Sequence, residues 1–177
     1  MKRSTKFFYI GLGFGLGLAA REIVKQSDPI IQMAAPIVFN WLGRGTSVTD
    51  ATAELDASGN RNMQQLLEKI PTKKNYHILN HLIGIEKWGH SKLKIALGEP
   101  SNMEEYDNYR PPLGLSWNEL QDIFEATRET TKELAGSIEE METSEIRVMH
   151  NQFGELTAKE WLIYLRLHAN AEIWKMN

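Results

Sequence analysis

The sequence predicts an all-α protein, in which a bundle of long helices follows a hydrophobic N-terminal helical segment. Two capping boxes indicate this fold class, because Ser116 and Thr157 are each followed three residues later by a glutamate, Glu119 and Glu160. The segment His77–Leu97 has the clearest helical pattern, since its apolar residues recur on one face with a period of about 3.6. These observations predict a helical domain with an apolar interior.

The composition excludes several classes of protein. The chain has 177 residues, of which 42% are hydrophobic and 24% charged, so we expect one ordinary domain with an appendage. A net charge of -3 gives no support to a nucleic-acid-binding surface. The chain has no cysteine, which excludes disulfides, thiolate metal sites and a cysteine nucleophile.

Residues 1–45 form a hydrophobic segment that differs from the helical domain, residues 46–177. Three basic residues precede an apolar run, Phe7–Ala20, in which every second residue from 11 to 17 is a glycine. As a helix, the run places Gly11 and Gly15 on one face, which allows another helix to approach closely. It would span about 21 Å, less than the roughly 30 Å hydrocarbon core of a bilayer.

Three interpretations of this segment remain open. Association with a membrane through residues 7–43, which include a second apolar stretch at Pro29–Leu42, predicts a membrane-associated and otherwise cytoplasmic protein. A signal peptide cleaved after Ala20 is the second interpretation, although Leu18 is a poor residue at the third position before the cut. Packing within a soluble protein is the third.

Residues Thr49–Ile70 predict the first helix of the domain. Gly59, Asn60 and Asn62 weaken its middle, because all three have low helix propensity. We expect Pro71 to end the helix.

The second helix is predicted at His77–Leu97. His81 lies at the centre of its apolar stripe, so we expect this imidazole to face the core. Glu86 and His90 lie on the opposite side, which predicts that both are in contact with solvent.

A loop, Glu99–Leu115, follows the second helix. In one interpretation it crosses the open end of the bundle and places Tyr106 or Asp107 near a bound ligand. In the other it is a polar loop whose tyrosines pack on their own helices. The third helix then begins at Ser116.

Apolar residues and threonines at heptad-like spacing predict that the third helix faces the core, and Gly136 predicts its end. Residues Ile146–Phe153 are expected to be extended and to lead into a turn at Gly154. His150 either approaches the end of the bundle or makes a local hydrogen bond in its loop.

The last helix is predicted from an N-cap at Thr157 to about Trp174. Trp161, His168 and Glu172 fall within one stripe about 60° wide, which should face the core. An imidazole and a carboxylate are therefore expected one turn apart in the interior. Burying a carboxylate is costly unless a cation meets it, and a metal ion is one such cation.

His81 supplies a third inward-facing donor to His168 and Glu172. Two imidazoles and one carboxylate bind a first-row divalent ion and leave open positions, as in catalytic sites. We expect zinc or nickel, with iron or manganese as alternatives. The other interpretation is structural: core histidines hydrogen-bonded to a carbonyl or tyrosine, and Glu172 paired with a histidine or arginine.

At these residues the chain resembles the DinB-like superfamily, which includes YfiT-type metal-dependent hydrolases and bacillial thiol-transferases. The segments that carry the resemblance are HILNHL (77–82), KLKIALGE (92–99), EYDNYRPP (105–112) and LTAKEW with the later histidine (156–168). The resemblance implies an up-and-down four-helix bundle. His81 matches its first metal ligand, and His168 the first histidine of an H-x-x-x-H pair. Glu172 replaces the second histidine of that pair.

The resemblance further implies transfer of a thiol, from a low-molecular-weight cosubstrate, to an electrophilic small molecule, with hydrolysis as the next option. Asp107 and His150 are candidate catalytic residues, and Tyr106 is a candidate cofactor-binding residue. A homodimer is a further expectation. The competing hypothesis is a non-catalytic, membrane-associated helical module with a degenerate metal site.

Overall fold

The structure, a computed structural model, describes residues 37–101 and 104–177, so the predictions for residues 1–36 lie outside the described residues. The described part is mostly helical. Four long helices are α1 (Val48–Leu67), α2 (Lys73–Ala96), α3 (Trp117–Glu140) and α4 (Ala158–Trp174). A 3-10 helix at Tyr106–Tyr109, a helical segment at 37–43 and an antiparallel hairpin of β1 (Arg147–His150) and β2 (Gly154–Thr157) complete it.

Local sequence signals define where the helices begin. The capping boxes predicted at Ser116 and Thr157 are both present, and a third, unpredicted one starts α1 at Ser47. In each box the side chain of the first residue accepts a hydrogen bond from a backbone amide, and a carboxylate accepts one in return. These bonds satisfy amides that would otherwise lack partners.

Two residues expected to disturb helices do not do so. Gly59 is buried inside a continuous α1, where tertiary packing outweighs its low propensity. Gly136 does not end α3, which continues to Glu140 because the residues beside it, Ala135 and Ile138, are fully buried. The prediction that α3 ends at Gly136 is therefore wrong.

The helices form a ring in which α1 and α2 each pack against both α3 and α4. Gln121, near the start of α3, bonds to the carbonyl of Leu66 at the end of α1, so these helices are antiparallel. The ring of Tyr76, near the start of α2, packs on that of Trp117, at the start of α3, so those two are parallel. Ser58 of α1 contacts Asn170 of α4, and an ion pair one turn earlier on both helices shows that α1 and α4 are parallel.

The up-and-down alternation that the resemblance implies therefore holds from α1 to α2 and from α3 to α4, but not from α2 to α3. Residues 97–116 connect two parallel helices and must return along the bundle. Twenty extended residues reach about 66 Å, whereas α2 is about 36 Å long, so the connection is long enough. A long connection removes the need for strict alternation.

The helices enclose two apolar clusters. One surrounds Trp88 and Trp161, and the other surrounds Leu79 and Phe124. On α4, His168 follows Leu165 of the first cluster and directly precedes Ala169 of the second. The predicted metal ligands thus lie where the two clusters meet.

The N-terminal helical segment at 37–43 packs on this core. Phe39 is 3% exposed and contacts the rings of Phe153 and Tyr164, with centroids 5.5 and 6.2 Å away. This part of the segment assigned to residues 1–45 is thus in contact with the helical domain. Among the described helices, none has the length and apolar character needed to cross a membrane.

The face of α2 opposite His81 is buried, although the sequence predicted that it contacts solvent. Glu86 is fully buried and His90 is 9% exposed, so the prediction that they contact solvent is wrong. The side chain of Thr131, on α3, donates to Glu86 Oε1 over 2.6 Å and lies 2.8 Å from His90 Nε2. Because α3 packs on the face opposite His81, α2 is covered on two sides, and its polar residues there are paired.

Candidate metal centre

His81, His168 and Glu172 lie close together in the structure. Each offers one donor atom, and these three atoms lie within 4.8 Å of one another. The ring centroids of His81 and His168 are 5.4 Å apart, and His168 Nε2 lies 3.9 Å from Glu172 Oε1. Residues four apart on a helix share a face, which explains why α4 presents both donors toward α2. The predicted convergence is confirmed.

Burial keeps both imidazoles of this group neutral. The pKa of His81 is lowered to about 4, mainly by desolvation, while the charge of Glu172 opposes the shift and Arg110 adds to it. Desolvation also lowers the pKa of His168 well below its ordinary value, and His81 contributes to that shift. Since a metal binds a neutral imidazole, both histidines have the charge state that a metal ion requires near pH 7.

The donor set suits a divalent cation. Two imidazole nitrogens and one carboxylate oxygen are common ligands of such an ion, and Nε2 is the His168 nitrogen recorded near Glu172. Ligands held at about 2.0–2.1 Å around a tetrahedral ion lie about 3.4 Å apart. Side-chain shifts of about 1 Å would therefore bring the three donors to that spacing.

Glu172 already contacts a cation of the protein itself. Lys175 Nζ lies 2.5 Å from Glu172 Oε1, and the Glu172 side chain is only 10% exposed. The structural interpretation expected a histidine or arginine here; the neutral His168 lies 3.9 Å away, and the closer partner is a lysine three residues later on the chain. A bound ion would compete with this ammonium group for the carboxylate. The spacing of three residues between Glu172 and Lys175 could have indicated this pair, because residues i and i+3 lie close together on a helix.

The loop after α2 contributes Tyr106 to the site. Its ring packs edge-on against His81 with centroids 5.3 Å apart. Asp107 does not reach the three donors: its side chain is 64% exposed, and Oδ1 lies 2.6 Å from Arg110 Nε. A tyrosine of this loop thus packs on the preceding helix, as the second interpretation expected, and a contact of Tyr106 or Asp107 with a bound ligand stays a prediction.

Arg110 was not predicted as a site residue, yet it contacts His81 directly. Its Nη2 lies 3.3 Å from His81 Nδ1. Gly84, one turn further along α2, makes this approach possible. A Cβ there would lie 2.8 Å from Arg110 Cγ and 3.3 Å from the Tyr106 carbonyl oxygen. No local pattern indicates the contact, because it depends on the path of a loop.

His150 lies apart from the three donors, inside an aromatic pocket. Its ring stacks on Phe153 at 4.4 Å and meets the edge of Tyr164 at 4.7 Å. The imidazole Nδ1 accepts hydrogen bonds from the amides of Gln152 and Phe153, the local bond that was one of its two interpretations. Burial lowers its pKa to about 3. Tyr164 also contacts the ring of His168, at 5.7 Å. The catalytic roles of His150 and Asp107 stay predictions.

Comparisons of the chain with known protein families, with curated proteins and with solved structures found no match. The DinB-like resemblance therefore depends on the sequence segments quoted above.

Proposed function

We propose that this protein is a metal-dependent enzyme of the DinB-like superfamily, in which His81, His168 and Glu172 hold one divalent cation. The observation that supports the proposal is the convergence of three donors from two helices. The sequence pattern selected the same three residues.

The donor types favour zinc or nickel, with iron or manganese as alternatives. Three protein ligands leave open positions, and a cation bound there lowers the pKa of a coordinated water or thiol, which makes it a nucleophile near neutral pH. The apolar clusters on either side of the site exclude water and strengthen the electrostatic interactions within it.

The reaction that we propose is transfer of a low-molecular-weight thiol to an electrophilic small molecule, with hydrolysis as the next option. The sulfur–carbon bond forms as the leaving group departs with its electron pair, and the thiol proton passes to solvent. The thiol comes from a cosubstrate because the chain has no cysteine. Tyr106, whose ring packs against His81, is the residue that we propose to contact that cosubstrate.

Elemental analysis of the full chain, purified without chelator or added metal, tests the metal site. We expect about one equivalent of a divalent metal, and its loss in His81→Ala, His168→Ala and Glu172→Gln. His77→Ala is the matched control, because His77 is an exposed histidine one turn earlier on α2. The proposal fails if the protein carries no stoichiometric metal and His81→Ala changes neither metal content nor melting temperature.

The second candidate function is a non-catalytic, membrane-associated helical module. The contact between Lys175 and Glu172 favours it, because this pair can neutralise the buried carboxylate without a metal. Fractionation of cells expressing the full chain, with Leu12→Asp and Leu16→Asp as a double variant, tests the anchor. Equal solubility of the unaltered chain and the double variant would remove the case for membrane association. Sedimentation of the same samples tests the expected homodimer.

A further inference from the structure

Arg110 belongs to two neighbouring sites. Besides contacting His81, it lines a cavity of about 480 Å³ between the start of α2, the loop that follows α2 and the start of α3. Most of the cavity wall is apolar, including Tyr76, Leu115 and Leu120. A cavity of this size accommodates a small organic molecule. Arg110 is therefore the physical connection between this cavity and the candidate metal centre.

The contact between Arg110 and His81 is incompatible with a metal ion on that imidazole. A guanidinium can only donate hydrogen bonds, so Nδ1 of His81 accepts and its lone pair is occupied. In a neutral imidazole with an unprotonated Nδ1, the hydrogen is on Nε2. Neither nitrogen then has a lone pair free for an ion. Arg110 must leave His81 before the ion can bind.

A carboxylate bound in this cavity would draw the Arg110 guanidinium away from His81. A guanidinium binds a carboxylate through two parallel hydrogen bonds, which are stronger than one bond to a neutral imidazole. Asp107 is its present anionic partner, with Oδ1 2.6 Å from Nε, but that carboxylate is mostly exposed and the pair is accordingly weak. Asp107 lines the same cavity, so a ligand carboxylate that forms both of these hydrogen bonds replaces its single contact with Nε.

We propose that the cavity binds a small organic carboxylate with an apolar body, and that Arg110 turns from His81 to this carboxylate. His81 is then free to bind the ion. The metal half of this inference rests on the proposed function. Ligand and metal consequently bind cooperatively, and each tightens the other by the same factor. Arg110 is a positioning residue in this scheme, since it acts on the metal through His81.

Zinc affinity of the full chain, measured by competition with a chromogenic chelator, tests the coupling with benzoate as the probe. We expect benzoate to tighten zinc binding by about fivefold or more, and zinc to tighten benzoate binding equally. In Arg110→Gln, zinc should bind more tightly without benzoate, and benzoate should have no further effect. Arg147→Gln, at an exposed arginine on the hairpin, is the control and should behave like the unaltered protein.

Unchanged zinc affinity with benzoate in the unaltered protein overturns the coupling, and this measurement requires no variant to fold. A full benzoate response in Arg110→Gln overturns the role of that arginine. If zinc binds and is lost in His81→Ala, but benzoate has no effect, the proposed function stands without the coupling. If neither the unaltered protein nor Arg110→Gln binds zinc, with or without benzoate, the proposed function itself is overturned.

Discussion

At the scale of single residues, a buried ion pair links α2 and α3 apart from the three candidate metal ligands. Glu86 and Arg128 form an ion pair with Nη1 and Oε1 3.4 Å apart and side-chain exposures of 1% and 5%. The second oxygen of Glu86 and all three guanidinium nitrogens have no hydrogen-bond partner among the described residues. Such a pair contributes little net stability, but removing one partner leaves a buried charge alone.

Arg128→Met should therefore lower the free energy of unfolding by about 3–5 kcal/mol, because Glu86 loses its counter-charge. The double variant with Glu86→Gln should recover much of that loss. Urea denaturation followed by circular dichroism provides the measurement. Lys132→Met, which breaks the partly exposed pair with Asp56, is the control and should cost less than about 1 kcal/mol. Equal losses at both positions would contradict this account of the buried pair.

Buried neutral histidines should make the protein less stable in mild acid. Burial lowers the pKa of His90 to about 4 and of His150 to about 3, whereas an unfolded histidine titrates near 6.5. The unfolded chain then binds more protons below pH 6.5. The stability due to the neutral rings is complete above that pH and is lost as the pH falls toward 4.

Between pH 6.5 and pH 5, His90 alone should cost about 2 kcal/mol of stability, at about 1.4 kcal/mol per pH unit. Thermal melts of the protein at pH 7, 6 and 5 would show a falling melting temperature. His90→Gln should flatten this dependence, because one titrating group is removed. Melting temperatures that do not change over this range would contradict the burial argument.

At the scale of elements, two glycines in helices should respond oppositely to the same substitution. A Cβ at Gly89 of α2 would lie 2.6 Å from Leu165 Cδ2 on α4, whereas one at Gly136 of α3 would meet no atom within 4 Å. Gly89→Ala should therefore destabilise by about 1–3 kcal/mol through overpacking. Gly136→Ala should stabilise by about 0.5–1 kcal/mol through helix propensity. Chemical denaturation of both variants checks the predicted difference in sign.

The sequence pattern predicted the start of α4 and its inward-facing residues correctly, because the patterns that indicate them are local. The capping box at Thr157 and the stripe through His168 and Glu172 depend only on residues one turn apart. The burial of Glu86 could not be predicted in that way, because it depends on which helix packs beside α2. Arg110 was missed for a related reason, since its contact with His81 follows from the path of a loop between helices.

At the scale of the whole molecule, a bound ion should stabilise the fold. An ion that binds only the folded chain adds about 2.7 kcal/mol when present at a hundred times its dissociation constant. For a chain of this size, that corresponds to a rise in melting temperature of about 5–10 °C. His168→Ala should abolish the rise, whereas His77→Ala should retain it. An equal rise in all three proteins would indicate binding elsewhere.

The parallel arrangement of α2 and α3 has a consequence for access to the interior. Neighbouring helices that run the same way force the intervening chain to travel back over the outside of the bundle, and here that return passes above Gly84. A bundle with short reversals would leave the imidazole of His81 open at this point. The loop between α2 and α3 thus covers His81 from outside, so changes in the length of residues 97–116 should alter which molecules reach the candidate metal centre.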